Sequence, residues 1–288
     1  MRLVRFRHDG RELLGVTDGR RISSITDRVA DGLHDMNELI ARWDELRANI
    51  ESIENQTDAI LADVELLAPV SRPGKIWGIG FNYLDHGSEA GVEAPEHQTW
   101  FAMAQTTVAG PFQAIELPVV SSALDYEAEL VAIVGTGGRH IPSDEADKAI
   151  FGYCCGNDVS VRDWQLRSGQ HSIGKSFDGH APIGPWIVTA DEVDPENLAI
   201  RALVNGDIRQ DSNTRHQIFK PAEQMAHLSC AMTMEPGDLL FTGTPAGVGA
   251  LMSPPCYLHE GDVVRIEIDG IGAIENHVVR EGVDPQSR

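Results

Sequence analysis

The chain reads as a β-rich α+β protein, and three observations lead there. From Lys75 onward, short apolar runs bounded by Gly, Pro, Asn and Asp recur, while helical periods are few and short. That is not the alternation of strands and helices expected of a parallel βαβ fold. Asn205-Gly206 and Asp269-Gly270 are two-residue turn signals of the kind that close tight hairpins. Residues 1–68 differ from the rest and read as a small N-terminal α/β domain; residues 69–288 read as the main domain.

The elements follow in order. Leu3–Phe6 and Leu13–Val16 are short strand candidates, and Asp35 caps a helix expected to run to Ile53. Its apolar positions Met36, Leu39, Ile40, Trp43, Leu46 and Ile50 keep a helical period, which suits one buried face. Pro69, Pro73 and Gly74 mark the boundary. Beyond it, strands are expected at Ile76–Ile79, Ala114–Leu117, Glu129–Val134, Trp186–Thr189, Leu198–Val204, Asp207–Gln210, Leu239–Thr242 and Val263–Ile268. Pro221–Met232 reads as a helix with proline at its first turn, where the missing N–H does no harm.

Composition narrows the function. With 288 residues, 42% of them hydrophobic, the chain can bury a sizeable core. A net charge of −21, spread rather than blocked, argues against a nucleic-acid surface. No apolar run is long enough for a membrane span, and the N-terminal residues lack an apolar signal core. The four cysteines form no CxxC, and Cys154 and Cys155 are adjacent, so a reducing, cytoplasmic setting is expected.

The most informative stretch is Asp125-Tyr126-Glu127-Ala128-Glu129-Leu130, which runs into an apolar strand. Side chains at i and i+2 of a strand share a face, so Glu127 and Glu129 project together. Apolar residues on both faces just afterwards imply burial, and paired buried carboxylates need compensation. A hard divalent cation such as Mg²⁺ supplies it, with Asp158 as a third oxygen ligand. His86 and Glu89 are three apart, one helical turn, which lets a carboxylate orient an imidazole as a general base. Arg162 and Lys175 are cations that could hold a carboxylate substrate or an enolate, or serve as structural ion-pair partners. Thr242–Gly249 is a Gly-rich turn without the Walker lysine; its N–H groups suit carboxylate oxygens. No serine sits in a GxSxG elbow. Tyr83–Gln98, polar and holding Gly87, Gly91 and Pro95, reads as a lid that brings His86 and Glu89 together when substrate binds.

Taken together these segments resemble the fumarylacetoacetate hydrolase family. Six motifs occur in the family's order between Lys75 and Val278: Gly80–His86, Asp125–Leu130, Asn157–Asp163, Gly174–Asp178, Val204-Asn205-Gly206 with Gln210, and Thr242–Gly249. The resemblance implies a mixed, sandwich-like β-roll, usually dimeric, behind a small variable N-terminal domain. It implies Glu127, Glu129 and Asp158 as ligands of Mg²⁺, Mn²⁺ or Ca²⁺, and His86 with Glu89 as the water-activating pair. It further implies Lys175 in the active site, Arg162 and Gln165 on the substrate, and Thr244 on the substrate carboxylate. The partner would be a small 2-oxo carboxylic acid, in aromatic-compound catabolism. One departure stands out: Met103 falls where related chains carry a lysine, and His180 is a candidate replacement for that charge.

The activity these residues imply is hydrolytic C–C cleavage of an acylpyruvate-type 2,4-dioxo acid through an enolate. Decarboxylation of an oxaloacetate-like acid and isomerisation of a hydroxymuconate-like diacid use the same constellation. A silent 2-oxo-acid binding protein is the reading outside enzymes.

Overall fold

The structure is a computed structural model that describes residues 1–30, 32–91 and 93–282. Its frame is a 12-stranded mixed sheet packed against a five-stranded one, with a two-stranded ribbon beside them. This is the expected β-rich α+β architecture. The longest helices, Trp43–Ile53 and Pro221–Ala231, are 11 residues each.

The strand Ala128–Val134 lies in the middle of the large sheet, antiparallel to Ile150–Asn157 on one side and Leu239–Phe241 on the other. All seven of its residues are buried. Ala128, Leu130, Ala132 and Val134 pack toward the five-stranded sheet, against residues such as Ile200, Ala202, Val264 and Ile266. Val131 and Ile133 face the other way, onto Leu3, Leu14, Leu39 and Ile50 from the N-terminal part. The period-two alternation of a strand therefore sends Glu129 to this second face, away from the main core.

Residues 1–68 share this sheet. Arg2–His8 pairs antiparallel with Ala181–Thr189, with Leu3 opposite Ile187. Leu3–Phe6 and Leu13–Val16 lie within observed strands, Arg2–His8 and Arg11–Thr17. Asp35 caps a helix as expected, its side chain accepting from the Asn37 N–H, but the single helix is two: Met36–Ala41 and Trp43–Ile53. Arg42 breaks it, with φ −106° and ψ 17°, while its guanidinium holds Glu38 and Glu45.

The strand Ile150–Asn157 was not legible in the sequence. Its Gly152 and Gly156 spoil the strand pattern, yet neither position has room for a side chain. A Cβ at Gly152 would stand 2.3 Å from the Val188 carbonyl oxygen, and one at Gly156 2.4 Å from Val131 Cγ2. Among the described residues no helix is long and apolar enough to cross a membrane.

Candidate active site

Glu127, Glu129 and Asp158 converge: one carboxylate oxygen from each lies within 4.8 Å of the others, and all three side chains are buried. The backbone sets this up. The Glu127 N–H donates to Asn157 Oδ1 (3.0 Å), and the Asp158 N–H donates to the Glu127 carbonyl (3.0 Å). The ends of two neighbouring strands thus deliver the carboxylates to one point.

Lys175, 1% exposed, donates from Nζ to Glu127 Oε2 and Asp158 Oδ2, each at 2.7 Å. Arg162 reaches Glu127 Oε1 (2.7 Å), Asp125 Oδ2 (2.8 Å) and Gln165 Oε1 (2.9 Å). Burial pushes the Glu127 carboxyl up, but Lys175 and then Arg162 overcome it and hold it down at about 2. Burial likewise raises Asp158, and the Glu127 charge adds to that against Lys175, leaving it at about 6. Glu129 is pushed well above the usual range by burial, then by Asp158 and Glu127; the Gly243 N–H donated to its Oε2 (2.7 Å) offsets only part of this.

The residues fit a divalent cation. Asp125, Glu127, Glu129 and Asp158 are four carboxylates, and Arg162 and Lys175 are the two cations bonded among them. A single dication cancels the difference. The donor set is all oxygen, which suits Mg²⁺ or Mn²⁺. Asp158 Oδ1 is buried without a hydrogen-bond partner, an atom that a ligated ion would satisfy.

The second group lies on the helix Leu84–Ala90. His86 Nδ1 stands 3.4 Å from Glu89 Oε2, and the Gly247 N–H donates to both oxygens of Glu89 at 3.1 Å. The His86 ring stacks on Phe81 at 5.6 Å, and Phe81 holds a positive φ of 53°. Such a conformation is costly for a bulky side chain and marks functional sites. Asp85 fixes the helix start by accepting from Ser212 Oγ (2.6 Å). Of the segment 83–98 expected to close as a lid, residue 92 lies outside the described residues. His86 and Glu89 stand side by side in the structure, with Gly247 anchoring the carboxylate.

These groups open onto one cleft of about 220 Å³, lined by His86, Glu127, Arg162, Gln165, Lys175 and Thr244 among others. Thr244 Oγ1 donates to the Ala128 carbonyl (3.0 Å) and accepts from Gln210 Nε2 (2.8 Å). Glu129 and Asp158 sit behind this lining. The Thr242–Gly249 turn spends three of its N–H groups, those of Gly243, Gly247 and Gly249, on Glu129, Glu89 and Asp125, the protein's own carboxylates. His180 does not stand in for a missing charge at the cleft. It is buried against Phe177, its Nε2 2.8 Å from the Glu116 carbonyl, and burial lowers its pKa. Met103 is buried in the core on the N-terminal side.

Two contributors escaped the sequence reading. His171 lines the cleft, although nothing in its surroundings in the sequence points to it. Asp125 was legible only as part of a motif. It is fully buried and gathers four donors: the Tyr126, Gly249 and Ala250 N–H groups and Arg162 Nε.

The comparison with known proteins agrees with this geometry. Residues 75–279 match the fumarylacetoacetate (FAA) hydrolase C-terminal family. The chain belongs to the fumarylacetoacetate hydrolase family. It is 43% identical to the mitochondrial oxaloacetate tautomerase fahd2 of Xenopus laevis over 228 residues, 78% of this chain and 72% of that one. Among solved structures it resembles the maleylpyruvate hydrolase of Sphingobium sp. SYK-6, in complex with manganese(II) and pyruvate. The TM-score is 0.83 at 35% identity, covering 97% of this chain and 99% of the other. It also resembles the 2-hydroxyhepta-2,4-diene-1,7-dioate isomerase of Mycobacterium marinum, with TM-score 0.78 at 32% identity, covering 98% of this chain and all of that one. The family therefore holds hydrolases, isomerases and tautomerases on one fold.

Proposed function

We propose that this chain is a metal-dependent enzyme that cleaves a C–C bond in a small acylpyruvate-type 2,4-dioxo acid by hydrolysis. The observation that carries the reading is the His86–Glu89 pair, held together on the same cleft as the carboxylate cluster. Glu127, Glu129 and Asp158 would hold Mg²⁺ or Mn²⁺, which when bound polarises the 2-oxo group as a Lewis acid. Arg162, through Nη2, orients the substrate carboxylate, with the Thr244 backbone N–H as a second donor, since the Thr244 hydroxyl is bonded to Ala128 and Gln210. His86, oriented by Glu89, takes a proton from a water that adds to the distal carbonyl. When the C–C bond breaks, the electron pair passes to the pyruvate part as an enolate. Lys175, raised in pKa by Asp158 and Glu127 against the opposing effect of burial, remains charged and offsets that developing charge. The likeness to a hydrolase crystallised with manganese(II) and pyruvate supports this choice.

A second reading is keto–enol tautomerisation of a 2-oxo diacid, favoured by the 43% identity to an oxaloacetate tautomerase. It uses His86 to move a proton at carbon and needs no water. Product analysis separates the two. The hydrolase releases pyruvate from an acylpyruvate in step with loss of the enol absorbance. A tautomerase bleaches the enol of oxaloacetate and releases none.

The same proposal includes a homodimer. Val119, Val120 and Ile173 stand 75%, 53% and 60% exposed, large apolar side chains that a second copy would cover. Light scattering giving a single-chain mass at working concentration would rule it out.

A further inference from the structure

We propose that the outer half of the cleft selects a 2-oxo acid whose far end is uncharged and apolar, and disfavours a second carboxylate there. This rests on the function proposed above and narrows its substrate.

The wall comes first. Away from the carboxylate cluster the cleft is lined by Phe81, Leu166, Val248, Ala250 and Leu251. Leu166 and Leu251 are 70% and 40% exposed, apolar groups left open at the mouth. An apolar substituent lying on them removes surface from water on both sides.

The available cations come second. Among the described residues lining the cleft only Arg162 and Lys175 are cationic, and both are committed at the inner end. Lys175 is bonded to Glu127 and Asp158, and Arg162 to Asp125, Glu127 and Gln165. Arg162 Nη2, buried with no partner, is the donor still open, and the 2-oxo acid head takes it. His171 offers no charge in its place, since burial and then Lys175 lower its pKa.

The charge balance comes third. Four carboxylates, two cations and one dication sum to zero. The substrate's first carboxylate makes the site net negative, and Glu89 stands behind His86 with another negative charge. A second substrate carboxylate enters a negative cleft whose described lining holds no uncommitted cation to pair it.

Isothermal titration of the Mn²⁺-loaded full chain with 2-oxohexanoate and 2-oxoadipate tests this. The two acids share the head and the chain and differ in a terminal methyl or carboxylate. The expected result is at least about tenfold tighter binding of 2-oxohexanoate, the ratio that a modest charge penalty produces. Equal binding, or tighter binding of 2-oxoadipate, overturns the inference while leaving the proposed function standing. If Mn²⁺ binds and neither acid follows it, the proposed function falls and this inference with it. Leu166→Arg supplies the missing cation at an exposed position that does not endanger folding. It should shift the ratio toward 2-oxoadipate by about tenfold; an unchanged ratio would show that the mouth does not set the preference.

Discussion

At the scale of single residues, the site is governed by uncompensated charge. Asp158, at about 6, is protonated in acid and repels Glu127 and Glu129 once it ionises. Its pKa lies above the ordinary aspartate value of 3.8, so it lowers the stability of the metal-free chain as pH rises from about 4 to about 6. A bound cation relieves that repulsion and competes with the proton. The rise in melting temperature on adding Mn²⁺ should therefore be larger at pH 7 than at pH 5; equal shifts would mean the ion binds elsewhere. Asp158→Asn should weaken Mn²⁺ binding by about tenfold or more in direct titration, since it removes one anionic ligand. Glu127 and Glu129 were legible because strand alternation puts them on one face, and Asp158 because it lies in the Asn157–Asp163 motif of the resemblance. Asp125 and His171 were not: their roles arise from turns and a loop that meet only in the fold.

At the scale of elements, two tight junctions hold the dyad and the cluster in place. Gly247 has φ +105°, and a Cβ there would stand 2.0 Å from the Arg209 carbonyl oxygen. Gly247→Ala must displace the turn and loosen the N–H that anchors Glu89. Turnover should fall with Mn²⁺ affinity kept, because no proposed metal ligand is touched; unchanged turnover would show that Glu89 needs no anchor. Gln210, on the hairpin strand Asp207–Asn213, bridges the two sheets. It accepts from the Ala128 N–H (2.9 Å) and donates to Thr244 Oγ1 and the Pro245 carbonyl, both at 2.8 Å. Gln210→Leu strands these buried groups and should cost about 1–3 kcal/mol in denaturant unfolding. The hairpin itself was legible, since Asn205 and Gly206 both adopt positive φ. The strand Ile150–Asn157 was hidden because its glycines serve close packing rather than local preference.

At the scale of the whole molecule, residues 1–68 cover one face of the sheet that carries the site. Without them Val131, Ile133, Ile187 and Phe241 lose their cover from Leu3, Leu39, Leu46 and Ile50. A chain beginning at residue 69 is therefore expected to aggregate or to bind a hydrophobic dye; a soluble, cooperatively unfolding fragment would contradict that. The boundary expected near Pro69 rests on a change in sequence character; the sheet shared across it was not legible. Pairing between Arg2–His8 and Ala181–Thr189 links residues far apart in the chain, which no local pattern reports. The measurement that bears most directly on the central claim is pyruvate release, by the Mn²⁺-loaded chain and its His86→Ala variant, from an acylpyruvate whose acyl end is uncharged. The account predicts metal-dependent release that falls by about 10²–10⁴-fold in the variant, the usual worth of a general base, with Mn²⁺ and oxalate still bound. No pyruvate from the wild type, or equal release by the variant, would contradict it.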